Sequence, residues 1–168
     1  MRHKIKNSND KILVRVAAIS DLDSICQLEA QIDQQHHQHL PEIFAAKVEP
    51  ERQRSYLQAV LETENGALLV ACESEDILGF ISCKWMENTE LPFLNPRRIC
   101  RIGTIVVAEK HWQRGVGKLL MEAATSWGRE HGAMEVQLAV MDFNRDALAF
   151  YEHLGFSALS HVMRKGLA

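Results

Sequence analysis

Nowhere in the 168 residues does an uninterrupted apolar run approach the roughly 18 residues of a membrane span, and Met1 to Lys11 has no apolar stretch of the kind a secretory leader carries. A cytoplasmic protein is expected, with residues 1–11 as a flexible N-terminal segment. The four cysteines, Cys26, Cys72, Cys83 and Cys100, include no C-x-x-C pair, which gives no zinc-ribbon or disulfide-scaffold spacing. Three of them fall in apolar, strand-like runs, so buried free thiols in a reducing compartment are expected. Charge of one sign is also scarce: the net charge is −3 and the basic residues form no stripe, so the footprint of a nucleic-acid binder is missing. Repeats, low-complexity tracts and Pro/Gly linkers are absent too, which leaves one domain over 12–168.

What is present is a chain 46% hydrophobic, enough for one sizeable core. Ile12 to Ala17 is a short β-rich run. Ser20 followed by Asp23 has the form of a capping box, and Leu22, Ile25, Leu28 and Ile32 then make one helical face. A His-rich stretch, His36-His37-Gln38-His39-Leu40-Pro41, interrupts that pattern before Pro50 and Glu51 open a second helix, which Asn65-Gly66 ends. Ala67 to Cys72 and Ile77 to Trp85 read as an antiparallel hairpin with a bulge at Gly79, and Ile99 to Val107 as a longer strand. From Val116 the apolar residues Leu119, Leu120, Ala123, Ala124 and Trp127 recur at helical spacing until Gly132. Val136 to Met141 is the next strand, parallel to its predecessor across the helix. A helix over Asp146 to Leu154 stops at Gly155, and Phe156 to Arg164 returns as a last strand. The expected fold is α/β: a mixed, mostly antiparallel sheet of about six strands with a parallel central pair, flanked by about four helices.

At the junction of strand and helix lies Gln113-Arg114-Gly115-Val116-Gly117-Lys118. Gly115 and Gly117 remove side chains where a ligand approaches the main chain, and the N–H groups of the helix's first turn point outward, an arrangement that binds phosphates. Two phosphate folds fail on spacing. The dinucleotide fingerprint wants a third glycine where Leu120 stands, and the nucleotide P-loop wants Gly at Trp112 and Ser or Thr at Leu119.

The run Ile105-Val106-Val107-Ala108-Glu109-Lys110-His111-Trp112-Gln113-Arg114-Gly115-Val116-Gly117 resembles motif A of the GNAT superfamily of acyl-CoA-dependent N-acyltransferases. A second stretch at the expected distance, Asn144-Arg145-Asp146-Ala147-Leu148-Ala149-Phe150-Tyr151-Glu152-His153-Leu154-Gly155-Phe156, resembles the family's Asn-x-x-Ala-x-x-(Phe/Leu)-Tyr-x-x-x-Gly-Phe. One position departs: Trp112 stands where the family usually has Arg or Gln.

The resemblance implies an acetyl-CoA-dependent N-acetyltransferase acting on a primary amine, either a small molecule or a protein amino group; the alternative is a CoA-binding sensor without turnover. It implies that Ile105, Val106 and Val107 carry the pantetheine arm, with the Val106 or Val107 amide as oxyanion donor. Gln113, Arg114, Gly115, Val116, Gly117 and Lys118 would hold the phosphates, Arg114 or Lys118 adding charge, and Asn144, Ala147 and Tyr151 would contact the cofactor. Tyr151 matches the general acid that protonates the departing thiolate; its plain alternative is a core tyrosine. Asn144 also suits a helix N-cap. No base carries over, since Gly103 and Thr104 stand where the family often has Glu; Glu87, Glu90, His111 and Asp142 are candidates by location, or water serves instead. The segment His36 to Phe44 would border the acceptor pocket. No metal is expected, His36, His37 and His39 lacking a fourth ligand of clear spacing, and no nucleic acid or membrane; a homodimer is one option, through the edge of a final strand.

Overall fold

The computed structural model describes residues 12–87 and 91–167, so the expected flexible segment 1–11 and the base candidate Glu90 lie outside the described residues. The elements run β1 (Leu13–Val16), α1 (Leu22–His39), α2 (Pro50–Glu62), β2 (Gly66–Glu73), β3 (Asp76–Glu87), β4 (Arg98–Val107), α3 (Val116–Glu130), β5 (Glu135–Gln137) and α4 (Arg145–His153). The sheet order is β1-β2-β3-β4-β5, antiparallel throughout except for the parallel pair β4/β5. Among the described residues no helix is long and apolar enough to cross a membrane.

Strand alternation divides the core into two layers. Leu68, Val70, Phe80 and Val106 point toward α1 and α2, where they meet Leu22, Ile25 and Leu57. Leu69, Ala71, Ile81, Cys83 and Ile102 point the other way, onto Val116, Leu120 and Ala124 of α3. Each such Leu or Ile contributes about 2 kcal/mol by leaving water. All four cysteines are free, and Cys72, Cys83 and Cys100 are buried.

Helix α1 starts one residue later than the Ser20/Asp23 reading, at Leu22 behind a 3-10 turn over Ile19–Asp21. The Asp21 carboxylate accepts the Ala18 N–H at 2.7 Å and the Arg15 guanidinium at 2.6 Å, holding a short 3-10 turn ahead of the helix. Asp23 instead pairs with Arg54 of α2. The His-rich stretch does not interrupt α1: His36, His37 and His39 form its last turn, where basic rings oppose the helix dipole. Pro50 opens α2 as expected.

Two irregularities shape the centre of the sheet. Ala71 pairs with Gly79 and Cys72 with Ile77, so the extra residue is Leu78, next to the expected Gly79. Gly79 has a different reason to be glycine, because a Cβ there would stand 2.5 Å from the Val106 carbonyl oxygen. On β4, Ser82 pairs with Thr104 and Cys83 with Ile102, which leaves Gly103 as a bulge.

The expected sixth strand is not formed. Five strands make the sheet among the described residues, and Phe156 to Arg164 joins no ladder. The sequence pattern expressed β propensity, but a strand exists only against a partner edge. After α4 the chain leads from Phe156 to Arg164, which meets Glu42 at 2.8 Å, and pairs with no strand among the described residues. The strand expected over Val136 to Met141 is also shorter, ending at Gln137.

Candidate functional site

The site begins where β4 and β5 part. Among the described residues β5 pairs only with Ile99, Cys100 and Arg101, so from Ile102 to Val107 that edge of β4 has no described strand beside it. The Ala108 N–H donates to Leu78 O at 2.9 Å, and stepping back by two along the register turns Val106 toward Phe80 and Thr104 toward Ser82. The intervening residues, Ile105 and Val107, therefore present their N–H groups to the open edge. The Val107 carbonyl on that edge accepts from Trp112 Nε1 at 2.8 Å and from Gln31 Nε2 at 3.1 Å, while Gln31 Oε1 accepts the Glu109 N–H at 3.2 Å. Trp112, read as a departure from the family pattern, thus ties the loop to the end of β4. No local pattern marks Gln31, whose role depends on α1 lying beside the end of β4.

Beyond Trp112 the chain needs two left-handed residues, Gln113 at φ 62° and Gly115 at φ 78°, to turn into α3. Arg114 donates to Glu73 at 2.8 Å and to His111 Nδ1 at 3.1 Å. Because guanidinium only donates, Nδ1 must be the acceptor and the ring neutral, in keeping with a His111 pKa lowered by burial and by Lys110 and Arg114. Leu119 N–H is the first in α3 to reach back, to Gly115 O at 3.1 Å, and no side chain caps the helix. The amides of Val116, Gly117 and Lys118 consequently have no helical acceptor. A Cβ on Gly115 would meet nothing within 4 Å, so the N-cap position ahead of these amides is uncrowded. Gly117 is different: its missing Cβ makes room for Phe150, whose Cζ would be 3.2 Å away. Lys118 is exposed and lies 3.8 Å from Glu122.

The second motif folds as α4. Asn144 Oδ1 accepts the Ala147 N–H at 3.2 Å, the N-cap its position suggested. Phe150 brings α4 against the start of α3 through Gly117. Tyr151 packs between Phe150 and Phe156, ring centroids 5.4 and 5.8 Å away, and burial pushes its phenol above the ordinary tyrosine value. Its hydroxyl has no partner among the described residues and is not sealed from solvent.

Across the open edge, α1 and the 40–44 turn form a wall. His36 stacks on Phe44 with centroids 4.5 Å apart, His39 stacks on Phe143 at 4.2 Å, and the backbone oxygen of Phe44 lies 2.8 Å from His37 Nδ1. These rings join the end of α1 to the loop that precedes Asn144. Of the base candidates, Glu87 pairs with Arg98 at the opposite end of β4, and Asp142 is an exposed partner of Arg145.

Behind the wall, Glu29 is 8% exposed and accepts from Gln53 Nε2 at 2.9 Å. Burial raises its pKa, Gln53 opposes this, and Asp33 adds to it. A raised acid holds a proton in the folded state that the unfolded chain releases above about pH 4.3, so stability falls as pH climbs from there through the folded value. Glu29→Gln is expected to raise Tm at pH 7 to 8, with the gain disappearing near about pH 4; thermal melts of both proteins across that range check it, and a constant gap would remove burial as the cause.

The Acetyltransferase (GNAT) family model matches residues 28–156, which contain the parted strands, the loop and α4. The chain is 37% identical over 59 residues to the uncharacterized N-acetyltransferase YobR of Bacillus subtilis, covering 35% of this chain and 24% of that one. It is 28% identical over 105 residues to the uncharacterized N-acetyltransferase MJ1207 of Methanocaldococcus jannaschii, covering 61% of this chain and 44% of that one. The chain thus matches less than half the length of either curated relative. Among solved structures, the F44R mutant of the BH1408 protein from Bacillus halodurans superposes with a TM-score of 0.85 at 28% identity, covering 93% of this chain and 99% of that one.

Proposed function

The chain belongs to the acetyltransferase (GNAT) family, and from that premise we propose that it transfers an acetyl group from acetyl-CoA to a primary amine by direct attack on the thioester. The observation that carries this is the juxtaposition of acceptor-free amides at Val116, Gly117 and Lys118 with the open edge of β4 at Ile105 and Val107. A pyrophosphate fits the first, since partial positive charge converges there over open space above Gly115. An extended pantetheine arm, itself an amide chain, fits the second as an added strand.

In this reading Gln113, Gly115, Val116, Gly117 and Lys118 hold the phosphates through the main chain. Arg114, tied to Glu73, braces the loop, while exposed Lys118 adds charge. Ile105 binds pantetheine and Val107 N–H faces the thioester carbonyl. Val106 N–H is the weaker assignment, because the register turns it to Phe80. The neutral amine attacks the carbonyl carbon, the tetrahedral oxyanion gathers at the Val107 amide, and the C–S bond breaks. The thiolate takes the Tyr151 proton, and the attacking nitrogen releases its extra proton to water. Asn144 and Ala147 set the start of α4 and so the height of Tyr151. The His36, His39 and Phe143 wall lies on the acceptor side, and the modest negative charge favours a cationic acceptor.

The test is thiol release from acetyl-CoA by purified protein over a panel of primary amines, with product mass measured beside it. Release matched by an acetylated amine is expected. Tight acetyl-CoA binding by calorimetry without release for any amine would make the protein a CoA sensor, and no binding would end the reading.

A further inference from the structure

The His-rich end of α1 spans the gap between the parted strands. Gln31 fixes the helix to the end of β4 through the Val107 carbonyl. Further along, His36 and His39 rest on Phe143, which directly precedes the Asn144 cap of α4. At about 1.5 Å of rise per residue, Gln31 and His36 are about 7.5 Å apart along the axis. This stretch of α1 therefore reaches from the carbonyl that ends β4 to the loop that sets the helix carrying Tyr151.

Its three imidazoles are not equivalent. His37 Nδ1 lies 2.8 Å from Phe44 O and His39 Nδ1 lies 2.9 Å from Gln35 O. A carbonyl only accepts, so each of these nitrogens carries its hydrogen and is committed to the backbone. His36 is held by its ring faces and edges instead: it stacks on Phe44 with centroids 4.5 Å apart and meets Phe143 edge-on at 5.7 Å. Neither of its ring nitrogens hydrogen-bonds to the described residues, and neither is sealed from solvent. Burial lowers its pKa, Asp33 one turn earlier raises it and His39 lowers it, and the balance lies below the ordinary histidine value. The other elements against the ring contribute Phe44 and Phe143, which carry no charge, and the acids beside those two, Glu42 and Asp142, are paired with Arg164 and Arg145. α2 acts through Gln53, whose amide donates to Asp33 at 3.3 Å and to Glu29 at 2.9 Å. His36 is thus neutral through the neutral range, with a lone pair to offer.

We propose that His36 is the proton acceptor of the transfer, taking through water the proton that the attacking nitrogen sheds. This rests on the acetyl-transfer reading and adds where that proton goes. Attack forms the C–N bond and leaves a positive nitrogen beside the oxyanion; water takes the nitrogen's proton and passes one of its own to a ring nitrogen of His36. The oxyanion then reforms the carbonyl as the C–S bond breaks, and the departing thiolate takes the Tyr151 proton. The imidazolium gives its proton to solvent and the phenolate recovers one, so the net change is amine and thioester to amide and thiol. Asp33 is a positioning residue that stabilises the transient imidazolium.

The test is the pH dependence of kcat with an amine found by thiol release. In the unaltered chain kcat should fall along an acid limb below the ordinary histidine value, at the same pH for two amines of different basicity, which separates it from ionisation of the acceptor. His36→Gln should abolish that limb and lower kcat at least about tenfold, bulk water remaining as a poorer acceptor, with acetyl-CoA affinity by calorimetry within about twofold. Asp33→Asn removes the charge that favours the imidazolium, so its limb should persist and move to lower pH, a shift that a purely structural His36 would not produce. If His36→Gln fails to fold, the limb and its displacement in Asp33→Asn still decide. A limb that survives His36→Gln, or that Asp33→Asn leaves in place, overturns the proposal and leaves the acetyl-transfer reading standing. No thiol release from the unaltered chain with any amine overturns both.

Discussion

Tyr151→Phe is expected to lower kcat by about 100-fold or more while leaving acetyl-CoA affinity within about twofold, the loss that follows when a positioned general acid is removed. The substitution keeps the ring that packs against Phe150 and Phe156 and deletes only the hydroxyl, which has no partner among the described residues to leave behind. Stability should therefore hardly move. Burial raises the phenol's pKa, so the proton is in place throughout the neutral range, and activity that depends on it should decline only on the alkaline side of the ordinary tyrosine value. Single-turnover rates, calorimetric affinity and a melt on the same two proteins separate the readings. A fall in Tm with kcat intact would return Tyr151 to the core, and a proportional loss of binding and rate would make it a cofactor contact only.

The parts of the site that were legible in sequence are those whose chemistry is local. Gly115 announces a left-handed turn and Asn144 an N-cap because each acts within a few residues, and α3 was readable from a periodicity that its own packing enforces. Parts that depend on distant chain were not. Gln31 reaches Val107 across 76 positions of the chain, and nothing in its neighbourhood marks it. Trp112 was visible only as a departure from a pattern, although its indole holds the carbonyl at the end of β4. Gly117 was read as a ligand contact, and nothing in its neighbourhood shows that its missing Cβ also makes room for Phe150. The sixth strand was misread for the same reason: alternating residues reveal a readiness to pair, and the partner edge lies outside the segment that carries them.

The division between Gly115 and Gly117 leads to the second large effect. Gly115→Asp is expected to weaken acetyl-CoA binding by at least about 100-fold, which is about 2.8 kcal/mol. Its side chain would enter space where nothing stands within 4 Å, at the N-cap position that precedes the amides of Val116, Gly117 and Lys118. A carboxylate there would occupy the anion site itself and repel a pyrophosphate; two unit charges about 4 Å apart interact by about 4 kcal/mol at a surface-like dielectric, so the repulsion alone suffices. The left-handed backbone at φ 78° adds about 1 kcal/mol of strain for most residues, but Asp and Asn tolerate it best. Gly115→Asn is therefore the control, with the same shape and the same strain but no charge. It should weaken binding by only about tenfold or less, and the two variants should melt together. Equal losses for Asp and Asn would mean that the backbone alone is responsible and that no anion sits over the helix. Gly117→Ala offers the contrast, because its Cβ would press on Phe150 and its first effect should fall on Tm.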